Sequence, residues 1–315
     1  MMTTPDDSKI PVLIDCDPGH DDAIALMLAL GSRRLDVLGV TTVAGNGTGP
    51  VTYRNARKVL SVLGANVPVA KGADRPLLRK LVTAPSVHGK SALDGPELPE
   101  VPETGAPAEA LDLIAEVLLG NPDRRVVWIA TGPLTNVAIA LVARPRIKNA
   151  LERIVIMGGS TGAGNWTPSA EFNIHVDPEA AKIVFDSGVP LTMIGLDVTH
   201  KALVYPDEVE RLRAAGRIGK LAAELLDFYS IFYRKRGFRG NPIHDAAAVA
   251  HVIDGSLVTT RRARVEVETH GEFTSGRTVT DFSPEGLEAA NCDVGLDIDR
   301  ERFVELLYAT IRSMG

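Results

Sequence analysis

An α/β fold, a single domain with an open, mostly parallel sheet flanked by helices, is predicted from three observations. Short β-branched runs alternate with helical stretches, acids and amides gather where strands give way to helices, and two β-rich segments follow one another late in the chain. The rhythm opens with a buried strand, "PVLID" (11–15), and an almost wholly apolar helix over 22–32 ended by Gly31. A strand over 35–45, a two-faced helix over 52–64 and a short strand over 67–72 continue it. Residues 73–106, rich in Pro and Gly and without periodicity, read as a long surface excursion, a kind of loop that is often functional. A helix over 107–120, a strand over 125–130, a helix opened by Pro133 and a strand over 153–158 follow. After an irregular stretch, 159–176, comes a helix with Asp177 as N-cap, Pro178 as first residue and Gly188 as its stop. A strand over 190–196 leads to a helical region, 206–236, broken near Gly216, and to a helix over 242–254. "RARVEVETHG" and "GRTVTDF" predict a late β-hairpin before a terminal helix near 300–313. With no repeat and no shift of composition, residues 1–315 are expected to form one domain.

Composition narrows the function classes. A chain of 315 residues, 45% hydrophobic and 23% charged, can bury a sizeable core. It has no run approaching the roughly 18 apolar residues of a membrane span, and "MMTTPDDSKI" has no basic start and apolar stretch of a secretory signal, so a cytoplasmic location is expected. Two distant cysteines, Cys16 and Cys292, form no CxxC and read as reduced thiols. A net charge of −6 without a basic block argues against nucleic acid as a partner and for small-molecule chemistry.

The chemistry gathers at the predicted strand ends, where open α/β sheets bind ligands. Asp15, Asp17, Asp21 and Asp22 follow the first strand, Asn46 the second, and "TGPLTN" the strand over 125–130. "GNWTPSAEFN" follows the strand over 153–158, and "NPIHDAA" opens the helix at 242. A helix N-terminus accounts for one or two acids in "DCDPGHDDAIAL". Four acids beside an apolar strand and a buried helix call for more, because unpaired buried charges cost several kcal/mol each. Clustered carboxylates without cysteine ligands point to a hard cation, Ca²⁺ or Mg²⁺. An Asp-nucleophile phosphatase is the rival reading of "DCD", but no GxxxxGK[ST] or GxGxxG phosphate cradle follows a strand. Among the histidines, His244 stands out because it adjoins Asp245 at a helix start, and His88 in "SVHGKS" could reach over a pocket as part of a lid. His20, His175, His200, His251 and His270 read as structural.

"DCDPGHDDAIA", "TTVAGN", "TGPLTN", "EFNIHVDPEAA" and "PIHDA", in that order over about residues 10 to 250, resemble the inosine-uridine-preferring nucleoside hydrolases. The resemblance implies a calcium-dependent enzyme that cuts the N-glycosidic bond of ribonucleosides, giving ribose and free base. By position it implies Asp17, a bidentate Asp22, the Thr131 carbonyl and Asp245 as Ca²⁺ ligands, with the ribose 2′- and 3′-hydroxyls and a water completing the shell. It makes Asp17 the general base toward that water, and it places Asp21, Asn173 and Asn46 at the 2′- and 3′-hydroxyls and Asn165 and Glu171 at the 5′-hydroxyl. His244 would help the base to leave. A net negative site suits an oxocarbenium-like transition state. The resemblance also implies a homodimer or homotetramer, and substrates of the uridine or inosine type. Phe228, Tyr229, Phe232 and Tyr233, on one helix, are all candidates to touch the base, and Trp166 is either a loop anchor or a pocket wall. A non-catalytic calcium-dependent nucleoside or sugar binder on the same scaffold is the alternative.

Overall fold

The structure, a computed structural model, describes residues 9–102, 106–120 and 125–315. Most of the N-terminal stretch read as lacking a signal, and the last part of the 73–106 excursion (103–105), lie outside the described residues. The first half contains β1 (Ile10–Cys16), α1 (His20–Gly31), β2 (Leu35–Thr42), α2 (Gly49–Leu63), β3 (Val69–Lys71), α3 (Pro85–His88), β4 (Ala108–Glu109) and α4 (Ala110–Leu119). The middle contains β5 (Val126–Ala130), α5 (Thr135–Ala143), β6 (Leu151–Met157), α6 (Phe172–Val176), α7 (Pro178–Phe185), β7 (Leu191–Ile194), α8 (Leu196–Thr199) and β8 (Leu203–Val204). It ends with α9 (Pro206–Arg213), α10 (Arg217–Lys235), β9 (Asn241–Pro242), α11 (His244–Ile253), β10 (Val258–Val267), β11 (Thr278–Asp281), α12 (Pro284–Glu288), β12 (Cys292–Ile298) and α13 (Arg300–Arg312).

Ten strands form one sheet in the order β11-β10-β12-β7-β6-β5-β1-β2-β3-β4. Every pairing is parallel except those of β10, which runs against both neighbours. The predicted single α/β domain and its late hairpin are therefore present, but the hairpin is an edge of the main sheet. β12, which no reading of the sequence anticipated, joins it there by pairing antiparallel with β10 and parallel with β7. "CDVGLDI" alternates as a half-buried strand should, yet Gly and Asp are poor strand formers, and that masks it. Gly295 is needed because a Cβ there would sit 2.8 Å from Val198.

Boundaries differ where caps decide them. α1 starts at His20, two residues before the predicted start, because Gly19 is its N-cap. Ala108 and Glu109, expected in a helix, instead pair with β3. The break near Gly216 separates α9 from α10, with Gly216 in left-handed backbone (φ 96°). Asp177 caps α7 by accepting the Ala180 N–H at 3.1 Å. The excursion after β3 holds only the short α3 among its described residues.

Two apolar layers sandwich the sheet. One is built from α1, α2, α10, α11 and α13, the other from α4, α5 and α7. α1 is buried almost all round because α11 covers it, and the alanines of α11 (Ala246, Ala247, Ala248 and Ala250) let the two backbones approach closely. Cys16 and Cys292 are both buried and unpaired. Among the described residues no helix is long and apolar enough to cross a membrane.

Trp128 in β5 is the largest fully buried side chain. Trp128→Ala is expected to cost about 3–5 kcal/mol, read as a lowered urea midpoint.

Candidate active site

The sheet order reverses at β1, which pairs with β2 on one side and with β5 on the other. Such a switch point opens a crevice at the carboxyl ends of the strands. Asp17 leaves the end of β1, Thr131 leaves the end of β5, and the N-termini of α1 and α11 meet above them.

The turn Pro18–Gly19 allows the chain to double back here. A Cβ at Gly19 would lie 2.6 Å from His88 Nδ1 and 2.9 Å from Asn46 Nδ2, so only glycine fits. Asp22 then binds back across the turn. Its carboxylate accepts the Gly19 N–H at 3.0 Å, Asn46 Nδ2 at 3.1 Å and the Thr131 hydroxyl at 2.9 Å. Asp17 Oδ2 accepts the Asn46 N–H at 2.6 Å, while Oδ1, also buried, has no partner. Gly45 and Gly132 frame this carboxylate, since a Cβ on either would stand 2.1 or 2.7 Å from one of its oxygens. Asp245, in the first turn of α11, completes the group: one oxygen each from Asp21, Asp22 and Asp245 lie within 4.8 Å of one another. Asp15 stands below, its Oδ1 accepting Asn136 Nδ2 at 2.7 Å and the Thr41 hydroxyl.

All of these acids are buried, and no lysine or arginine among the described residues pairs with Asp17, Asp21, Asp22 or Asp245. Burial and then the Asp22 charge push Asp17 and Asp21 up; burial and then the Asp21 and Asp22 charges push Asp245 up. Asp22 is raised by burial as well, against the pull of the Gly19 N–H and the Thr131 hydroxyl. Burial, helped by the Asp22 charge, carries Asp15 from 3.8 to about 7 in spite of its two donors. An unpartnered buried oxygen and three converging carboxylates form an all-oxygen donor set. That set fits a hard divalent cation.

The other residues expected at the site gather around this floor. Asn173 Nδ2 donates to the Thr131 carbonyl at 2.7 Å, which leaves that carbonyl a second lone pair. Glu171 caps the short α6, accepting N–H groups of Gly159, Asn173 and Ile174 at 3.0–3.2 Å, and burial lifts it to about 7. Asn165 Oδ1 holds the Phe172 N–H at 3.0 Å. His88 comes from the long excursion, and its Nδ1 accepts the His20 N–H at 3.2 Å. His244 Nδ1 meets the Thr199 hydroxyl at 2.7 Å and Nε2 meets the Tyr233 hydroxyl at 2.8 Å; burial, then His200, pushes its pKa well down, so the ring is neutral at pH 7. The Tyr229 hydroxyl donates to that of Tyr233 at 3.2 Å.

Together these residues enclose a cavity of about 300 Å³ that Asp21, Asn46, His88, Thr131, Asn165, Glu171, Asn173, His244 and Asp245 all line. Tyr229, Phe232 and Tyr233 also face it, whereas Phe228 stacks on His20 with ring centroids 5.0 Å apart. Trp166 is a wall as well as an anchor, lining the cavity and packing edge-on against Phe172. His200 lines the cavity and His20 supports it; both read as structural in the sequence, His200 as a lone histidine and His20 inside the acid motif, and Met157, Arg236 and Phe238 were likewise unannounced. His175, His251 and His270 do not line the cavity.

Fold and site define an α/β enzyme that takes a small polar molecule against a buried acid cluster. The sequence profile of the inosine-uridine preferring nucleoside hydrolases matches residues 12–305. A pyrimidine-specific ribonucleoside hydrolase RihA from Citrobacter koseri is 50% identical over 302 residues, covering 95% of this chain and 96% of its own. The protein of that name from Salmonella arizonae is 48% identical, covering 97% and 99%. A purine-preferring ribonucleoside hydrolase from Gardnerella vaginalis superposes with a TM-score of 0.89 at 34% identity, covering 96% of this chain and 98% of that one. The chain belongs to the inosine-uridine preferring nucleoside hydrolase family.

The acid cluster ties stability to pH and cation. Without a cation, the folded chain retains protons on Asp15 and Glu171 up to about pH 7 that the unfolded chain loses near pH 4, and the raised Asp17, Asp21, Asp22 and Asp245 act in the same direction. Because the native state then binds more protons than the unfolded one, the contribution of these groups falls as pH rises through that window. A bound cation favours the charged carboxylates instead. The rise in Tm on adding excess Ca²⁺ to chelator-treated protein is therefore expected to be larger at pH 8 than at pH 5, measured by calorimetry; a rise independent of pH would exclude the cluster as its source.

Proposed function

We propose that this nucleoside hydrolase cleaves the N-glycosidic bond of pyrimidine ribonucleosides, with Ca²⁺ held by Asp17, Asp22, the Thr131 carbonyl and Asp245. The observation that carries this reading is the pairing of an anionic floor with a neutral wall: buried carboxylates lie on one side of the cavity, and the linked Tyr229, Tyr233 and His244 on another. The pyrimidine preference rests on the 48–50% identity to proteins named pyrimidine-specific, against 34% to one named purine-preferring.

When bound, the cation supplies positive charge that acidifies a nearby water and orients ribose hydroxyls. Asp17 Oδ1, with no protein partner, takes a proton from the attacking water. Asp21, Asn173 and Asn46 hold the 2′- and 3′-hydroxyls, and Asn165 and Glu171 hold the 5′-hydroxyl. As the C1′–N bond breaks, its electron pair goes to the base, the water oxygen bonds C1′, and the net negative floor favours the positive charge that develops on the sugar. The departing base takes up a proton. A proton that His244 takes up from solvent passes from Nε2 through the Tyr233 hydroxyl to the base, which leaves the ring neutral again, and the proton that Asp17 took from water returns to solvent. Deoxyribose would leave buried donors and acceptors at the 2′ position unpaired, at about 1–3 kcal/mol each. Cytoplasmic action and a homodimer or homotetramer accompany the proposal; light scattering reads the latter.

Purified protein is expected to release free base from uridine and cytidine faster than from inosine, to act poorly on deoxyuridine, and to lose activity with a strong chelator and regain it with Ca²⁺. Nucleoside binding without base release would establish a binder instead, and phosphate release from a phosphorylated substrate would establish a phosphatase. His244→Ala and Tyr233→Phe should each slow uridine by about 10²–10⁴ while sparing p-nitrophenyl riboside, whose leaving group needs no proton. Equal losses on both substrates would remove the pair from that role.

A further inference from the structure

We infer that His20 is a positioning residue, which clamps the segment 85–94 onto the turn after β1 and so presents the Nε2–H of His88 to the nucleoside. The inference deepens the functional reading above and rests on it.

The clamp has two ends. His88 Nδ1 accepts the His20 main-chain N–H at 3.2 Å, which makes Nδ1 the bare nitrogen of that ring and leaves its proton on Nε2. His20 Nε2 donates to the Asp94 carbonyl at 2.8 Å, six residues further along the segment, and this fixes the His20 proton on Nε2 as well. Between the two ends the bare Nδ1 atoms lie 3.1 Å apart with no proton between them, a lone-pair contact that the bonds at either end hold in place. The His20 ring lies between neighbours, stacked on Phe228 at 5.0 Å and 3°, and on His88 at 5.3 Å and 20°. The segment is closed on itself as well, since Asp94 accepts the N–H groups of Lys90 and Ser91 and its own N–H returns to the His88 carbonyl. A tie at Asp94 therefore positions His88.

His88 lines the cavity and is 4% exposed, with Nε2 bound to no protein atom among the described residues. With its other nitrogen held at the turn, His88 offers a neutral N–H donor to an oxygen of the bound nucleoside. Gly19, where a Cβ would meet His88 Nδ1 at 2.6 Å, keeps the path between ring and turn open.

Three variants of the full-length protein test this: His20→Phe, which keeps a flat ring and removes both nitrogens; His20→Gln, whose amide nitrogen can occupy the place of Nε2; and His20→Asn, which is polar but too short to reach Asp94. His20→Phe is expected to raise KM for uridine about tenfold with kcat little changed, the scale of one lost hydrogen bond. His20→Gln is expected to stay within about threefold of the native protein. Amide hydrogen exchange over 88–94 should speed up in the Phe variant and not in the Gln variant, with or without substrate. In a His88→Ala background, His20→Phe should add less than about twofold. If His20→Phe fails to fold, His20→Asn replaces it in each comparison. Equal effects of Phe and Gln, or full losses that persist in the His88→Ala background, would overturn the inference. A native protein that releases no base from any nucleoside would refute the functional reading instead; the exchange measurement would still decide the clamp.

Discussion

Repulsion among buried carboxylates is the constraint around which this molecule is arranged. Asp17, Asp21, Asp22 and Asp245 lie together beyond the end of β1, and among the described residues no basic side chain pairs with them. Each buried charge of this kind costs several kcal/mol, so the fold must both gather the acids and relieve them. The relief that the chain itself provides is main-chain and hydroxyl donors: the Gly19 and Asn46 N–H groups, the Thr131 hydroxyl, and the N-terminal turns of α1 and α11. These donors do not suffice, as the upward pKa shifts of all four acids show. The remaining deficit is what the proposed hard cation would offset.

The packing far from the crevice follows from the same need. α1 and α11 must bring their N-termini together, so α11 is alanine-rich where it crosses α1, and α1 is apolar on nearly every side. Glycines at 19, 45 and 132 stand where a methyl group would strike His88 or the Asp17 carboxylate. Across the cavity, Tyr229, Tyr233 and His244 are buried and neutral. A neutral, proton-bearing wall opposite an anionic floor separates the two tasks the proposed reaction requires, stabilising a cationic sugar and protonating a leaving base.

Much of the fold was legible because a parallel sheet covered on both faces writes its strands as short apolar runs and its helices as periodic ones. β12 was hidden, since "CDVGLDI" has a glycine where Val198 crowds the backbone and aspartates at positions that point away from the core. In the site, residues carried by dense motifs such as "DCDPGHDD" and "NPIHDAA" could be picked out one by one. His200, Arg236 and Phe238 could not, because a single histidine, arginine or aromatic has no spacing to distinguish it from a surface or core residue, and His20, although inside the first motif, shows its role only through partners distant in sequence.

By itself, the sequence determined the alternation of strands and helices, the placing of acids and amides at strand ends, and the family to which such motifs belong. Those properties are local, encoded in periodicity, caps and short runs. Only the tertiary structure decided that Asp245 meets Asp21 and Asp22, that Phe228 turns to His20 while Phe232 turns to the cavity, and that His88 docks on the turn after β1. These depend on how helices far apart in the chain cross, and on which face of α10 the core leaves for the cavity. Contacts of that kind follow from packing summed over the whole sheet, and no window of sequence contains them.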